Sequence, residues 1–385
     1  MSRRNWSLMV AVTASLSGLV LLANSARGGE PLRQPFEYVR SLRAAHDQIV
    51  QGSINAHGLQ RTFLAQIEQS LARAKPPAWS DVRNVRALVA FVLNGGAPDV
   101  LRDLLKRGII KDSDDKFMNG VVAYGEGRNA AASGQLEAVD LRSLDAGLAG
   151  HVALIRAILT ETKNPAAAIA QFDQARLLAP GTLIEEAALR REAFLLAAAG
   201  DLDRFEQLAS QYFRRFPASL YGVAFRSRFV MQIVQSKYTD DPARLRRLEA
   251  VLEILAPGDR TRMFLAIARE GILQGKVQLT RMAAQHSARL APDGSAARER
   301  AKVYEGAASI VTDDFSGGIR ALNTAQRARL DQRDVELLDT ALAVADRVRT
   351  PPQASAGIGG ATSKIVGLAQ QTIAQADALL AVKEK

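Results

Sequence analysis

The stretch from Ala168 to Pro180 reads AIAQFDQARLLAP. Ala168, Phe172, Ala175 and Pro180 fall at the spacing A-x3-F-x2-A-x4-P. Steps of four and three put the first three residues on one face of a helix. The two alanines let a second helix approach closely, and Phe172 fills the gap between the two. Pro180 ends the helix because its ring cannot continue the hydrogen-bond ladder. The stretch therefore predicts the second helix of a two-helix unit. Such a unit cannot bury its apolar face alone, so further copies are expected on either side.

They are there. With Pro180 as marker, equivalent ends fall near Leu144, Pro217, Pro257, Pro292 and Leu330, at steps of 35 to 40 residues. The tetratricopeptide period is about 34, so these units carry slightly longer loops. Gly120, Gly127 and Ala132 stand where that motif wants two packing glycines and a small residue. Gly200 and Gly275 keep a constant distance to Pro217 and Pro292. Gly306, Gly318, Leu322 and Ala325 mark a last, weaker unit. The unit ending at Pro257 is degenerate, with Asp240 and Glu249 where Gly and a large apolar residue are expected. The expected fold is all-α, a tetratricopeptide-like helical repeat solenoid over residues 117–349. Composition alone also fits an irregular helical bundle. A repeat scaffold presents an extended binding surface, which points to a partner protein rather than a substrate.

A helical region is expected over residues 27–116. One helix is predicted from Phe36 to Val50, with Phe36, Val39, Leu42 and Ile49 near one face and Gly52 as its stop. A second runs from Ile54 to Ala74, before Pro76 and Pro77. Ser80 is the expected cap of a third, with Val82, Val85, Leu88, Val89 and Val92 as its buried stripe. A fourth spans Pro98 to Arg107 and stops at Gly108. Residues 350–363, including PPQASAGIGGATS, read as a linker. Residues 364–385 read as a final amphipathic helix, either a cap on the last repeat or a tethered helix for a partner groove.

The chain opens with Arg3 and Arg4, then an apolar run from Leu8 to Leu22, then small residues to Ala26. That order is an export signal over residues 1–26. The run falls short of the roughly 20 residues a spanning helix needs. Asn24 is a poor residue just before a cleavage point at Ala26, which leaves the site of cleavage open. The formal net charge is +10, with no cysteine. The fold needs no disulfide and has no thiol for catalysis or metal binding. The basic residues are scattered rather than clustered, which suits solvated helix faces and an acidic partner, not nucleic acid.

No reaction chemistry emerges. His46, His57, His151 and His286 sit in no metal-ligand spacing, so a place on a helix surface or inter-helix hydrogen bonding is their expected role. Gly125–Ala130 imitates a dinucleotide loop, but no strand precedes it; Gly127 reads better as a repeat turn. Gly271–Val277 misses a phosphate loop by one residue and lacks the magnesium-binding hydroxyl. The pairs Asp114/Asp115, Glu185/Glu186, Asp240/Asp241 and Asp313/Asp314 fit helix N-termini, since adjacent residues on a helix diverge. No metal or cofactor is expected. The segment Tyr212-Phe-Arg-Arg-Phe-Pro217 with Tyr221, Phe225 and Arg226 could serve a partner, because Tyr and Arg are enriched at interface hot spots. In that reading Tyr212, Arg214, Arg215, Tyr221 and Arg226 make the patch. In the competing one the phenylalanines are inter-repeat core and the arginines are solvated.

Five segments carry a family resemblance: PFEYVRSL (Pro35–Leu42), AYGEGRN (Ala123–Asn129), SLDAGLAGHVAL (Ser143–Leu154), RLLAPGTLIEEAALRRE (Arg176–Glu192) and FRRFP (Phe213–Pro217). With them the chain resembles the MotC family, periplasmic chemotaxis and motility proteins of rhizobia and related α-proteobacteria. The likeness is strongest up to about Pro257. It implies a non-enzymatic periplasmic protein required for flagellar rotation. It also implies a partner, the periplasmic portion of the stator protein MotB, held in a productive state. Two other readings compete: a lytic transglycosylase carried on a helical solenoid, or a general envelope-assembly adaptor. Beyond Pro257 the chain continues its helical pattern without a separate catalytic domain.

Overall fold

The computed structural model describes residues 33–110, 115–236 and 241–349. The expected signal, linker and final helix lie outside the described residues. Seventeen α-helices follow one another among the described residues. They are α1 (Pro35–Val50), α2 (Ile54–Ala72), α3 (Val82–Leu93), α4 (Asp99–Lys106), α5 (Asp115–Gly125), α6 (Asn129–Glu137), α7 (Ala146–Thr160), α8 (Pro165–Leu178) and α9 (Leu183–Ala198). Then come α10 (Leu202–Arg215), α11 (Gly222–Gln235), α12 (Pro242–Glu253), α13 (Pro257–Leu273), α14 (Val277–Leu290), α15 (Ala296–Ser309), α16 (Phe315–Asn323) and α17 (Gln332–Arg349). The fold is all-α and tetratricopeptide-like. The chain forms two compact units, Met1–Ala188 and Leu189–Lys385.

Five of the six sequence markers lie between helical pairs, whereas Pro257 opens α13 as its first residue. Leu144, Pro180, Pro217, Pro257, Pro292 and Leu330 follow α6, α8, α10, α12, α14 and α16 in turn. Residues 115–323 are thus a succession of two-helix units. Three of their internal turns share one geometry. Gly127, Gly200 and Gly275 adopt φ of +74°, +84° and +68°. The amide after each glycine donates back across the turn: Arg128 to the Ala123 carbonyl (2.8 Å), Asp201 to Leu196 (2.9 Å) and Lys276 to Gly271 (2.8 Å). This is the glycine-terminated helix end, which satisfies otherwise orphaned carbonyls. The two near-miss phosphate loops are both explained by it. Gly125–Ala130 spans the α5–α6 turn, and Gly271–Val277 spans the α13–α14 turn.

Small residues set how closely each pair packs. Ala168, Phe172 and Ala175 are fully buried. A Cβ at Gly150 on α7 would stand 2.9 Å from the Ala179 methyl. At Gly271 it would stand 2.7 Å from the Thr280 hydroxyl, and at Gly306 3.0 Å from the Leu322 side chain. Glycine at these positions keeps two backbones at a distance no side chain permits. In the degenerate unit, Glu249 occupies its apolar position by pairing. His286 Nε2 donates to it at 2.7 Å, while Phe264 stacks on the same imidazole at 4.8 Å.

In the first unit α1–α4 pack before the repeats, and their core joins that of α5–α7 through Leu42, Leu88, Phe91, Val92 and Val121. Three expectations change here. Asp81, not Ser80, caps α3, its carboxylate accepting from the Arg83 amide at 2.8 Å; Ser80 belongs to a preceding 3-10 turn, Pro76–Ser80. Val82 is exposed and Val85 half-buried; the buried face of α3 runs instead through Asn84, Ala87, Leu88, Val89, Phe91, Val92 and Leu93. Pro98 precedes α4 as its cap rather than lying inside it. Of the acidic pairs, Glu185 and Glu186 lie in the first turn of α9, and Asp241 and Asp314 take the cap positions of α12 and α16, while Asp114 and Asp240 lie outside the described residues.

Candidate functional site

The second unit carries the residues that the sequence singles out. Along α10, Phe205, Leu208, Ala209, Tyr212 and Phe213 recur at helical spacing, and all are buried. Tyr212 is only 1% exposed and stacks on Phe225 at 3.9 Å. It is core, so its place in a partner-binding patch is corrected. Phe213, Phe216 and Phe225 are buried with it. Rings from α9, α10 and α11 form one aromatic seam, in which each favourable pair adds about 1 kcal/mol beyond its area. Arg214 and Arg215 end α10 on the exposed side, where cations complement the helix C-terminus. Tyr221 caps α11, with the Arg190 guanidinium 4.8 Å from its ring. Arg226 is half-buried on α11, one wall of a groove of about 410 Å³. The opposite wall is α13, through Asp259, Arg262, Met263 and Glu270. The predicted residues thus divide among the core, the end of α10, the start of α11 and this groove.

A larger feature lies wholly in the first unit. Helices α1, α3 and α7 and the segment Leu178–Ile184 enclose a cleft of about 660 Å³. Such a volume suits a ligand or an anchoring segment of a partner. Its floor is apolar, with Val39, Leu42, Ala87 and Leu148. Its rim carries Arg40 and Arg43 from α1 and Arg86 from α3. Arg40 leans over the Phe36 ring at 5.4 Å. Arg86 stands 3.9 Å from Asp145, a distant pair with both partners exposed. Arg43 extends over the first turn of α7: its Nη2 lies 2.8 Å from where a Cβ on Gly147 would stand. Glycine there gives the guanidinium room.

Two histidines line the cleft. His46 is buried against Gln60, their side-chain nitrogens 3.3 Å apart. His151 has Nδ1 3.3 Å from the Gly147 carbonyl and Nε2 3.1 Å from Asn94 Oδ1. Asn94 is oriented by its own donation to the Ala90 carbonyl at 2.7 Å. Burial, reinforced by His46 and Arg43, pushes the His151 pKa down to about 4 against the pull of the Gly147 carbonyl and Asp145. Burial also holds His46 below its ordinary value. Both rings are neutral near pH 7. Inter-helix hydrogen bonding, expected of the histidines, is therefore what His151 and His286 do.

Sequence reasoning missed this cleft. Arg43, Arg86 and His151 lie far apart in the chain and share no local motif. Among the described residues no group of three His, Asp or Glu side chains is placed to hold a metal, and no helix is long and apolar enough to cross a membrane.

Two comparisons with known proteins point to the same family. The family model for chemotaxis protein MotC matches residues 1–384. Chemotaxis protein MotC of Rhizobium meliloti (strain 1021) is 31% identical over 345 residues, covering 89% of this chain and 79% of the relative. Among solved structures, the TPR domain of P58(IPK) aligns over 82% of this chain and 81% of that one, at 14% identity and a TM-score of 0.24. So loose a superposition carries no weight; the fold rests on the recurring hairpins. With a match that spans essentially its whole length, the chain belongs to the MotC family of chemotaxis proteins.

Proposed function

We propose that this protein is a non-enzymatic periplasmic scaffold of the flagellar motor. In this reading it binds the periplasmic portion of the stator protein MotB and holds it in the state that sustains rotation. The observation that carries the reading is the family match over residues 1–384, on a chain built of repeat hairpins. Repeat scaffolds present surfaces to partners. The signal-like order of residues 1–26 supports export, and a cysteine-free chain suits an oxidising compartment.

Purified protein tests it directly. Calorimetric titration with the periplasmic portion of MotB is expected to show saturable binding. A deletion strain is expected to keep its flagella but lose rotation. Release of soluble muropeptides from peptidoglycan would sink the scaffold reading in favour of a transglycosylase. A deletion strain that lacks flagella altogether would favour an assembly adaptor.

A further inference from the structure

We infer that the cleft between α1, α3 and α7 is the docking site for a partner segment that carries a carboxylate beside apolar side chains. The inference rests on the binding-scaffold reading above and adds to it a place and a chemistry.

Charge complementarity argues for the carboxylate. Among the described residues Arg43 makes no ion pair, yet it lies over the N-terminal turn of α7, where the helix field is already positive. Arg86 has only the distant Asp145, and Arg40 only a ring face. Three guanidiniums thus share one rim with two carboxylates, Asp47 and Asp145, and Asp145 is engaged in capping α7. An incoming carboxylate would pair with Arg43 and lie in the favourable field of α7. The apolar floor, with Leu42 and Leu148, supplies the anchoring area that charge alone does not.

The test uses the full mature chain and the periplasmic portion of MotB as probe, with circular dichroism to show that each variant folds. Arg43→Gln and Arg86→Gln are each expected to weaken binding about ten-fold or more, while Arg107→Gln on α4, a control outside the cleft, leaves it unchanged. Full-affinity binding by both cleft variants would overturn the inference and leave the partner reading intact. Absence of binding by the wild-type chain would overturn the partner reading and this inference with it. Self-association of the free chain that Arg43→Gln abolishes would assign the cleft to a second copy instead. Competition by phosphatidylglycerol vesicles for the cleft would assign it to a lipid surface; both outcomes reject a partner carboxylate.

Discussion

At the residue scale, Phe172 illustrates how one side chain holds a repeat. It is fully buried on the same face of α8 as Ala168 and Ala175, so Phe172→Ala leaves a void the close-packed helices cannot collapse into. The expected loss is about 3–5 kcal/mol, read as a lower urea midpoint at unchanged slope. Tyr212 teaches the opposite lesson. Its spacing from Phe205 already placed it on the buried stripe of α10, and that periodicity was the signal to weigh against the surface character of its neighbours Arg214 and Arg215. His151 makes a pH prediction. Its folded pKa of about 4 lies below the ordinary 6.5, so on acidification the unfolded chain takes up the proton first. Its effect on stability is absent above about pH 6.5, grows as pH falls toward 4, and stays constant below that. His46 acts in the same direction. Thermal melts across this range are expected to show the decline, and His151→Gln to flatten part of it.

At the element scale, the helix pairs depend on close backbone approach. Gly271→Ala would place a methyl against the buried Thr280 side chain. The clash outweighs the gain in helix propensity, and a net loss of about 1–2 kcal/mol is expected in chemical denaturation. The last described helix, α17, is docked by charge as well as by apolar area. Asp334 at the start of α17 is 1% exposed, accepts from the Tyr304 hydroxyl, and pairs with Arg300 at 2.6 Å, both on α15. Burial, with the Asp334 carboxylate, holds the Tyr304 phenol well above its ordinary value, so the hydroxyl stays a donor. Asp334→Ala strands a cation and a hydroxyl, and should cost about 3 kcal/mol, whereas Tyr304→Phe should cost about 1. Urea melts of the two variants check the order. The turn glycines and the proline markers were readable because helix ends are local chemistry. The cap of α3 was misplaced by one residue because Ser80 and Asp81 are both competent caps, and the choice depends on the 3-10 turn before them.

At the scale of the whole molecule, a chain without cysteine that folds through helical pairs is indifferent to redox conditions. Far-UV circular dichroism and the melting temperature are expected to coincide with and without dithiothreitol; a difference would mean that the fold rests on something beyond these contacts. The all-helical, repeating organisation was determined by the sequence alone, because helix period, small packing residues and glycine or proline stops act over a few residues. The family was equally legible, since whole segments carried it. The placement of candidate binding residues was not. Arg43, Arg86, Asn94 and His151 come from three helices separated by dozens of residues, and only packing of α1, α3 and α7 puts a positive rim over an apolar floor. Burial of Tyr212 and the depressed pKa of His151 were decided the same way. Solvent exclusion and the field of neighbouring charges are properties of assembled helices, and the tertiary structure alone sets them.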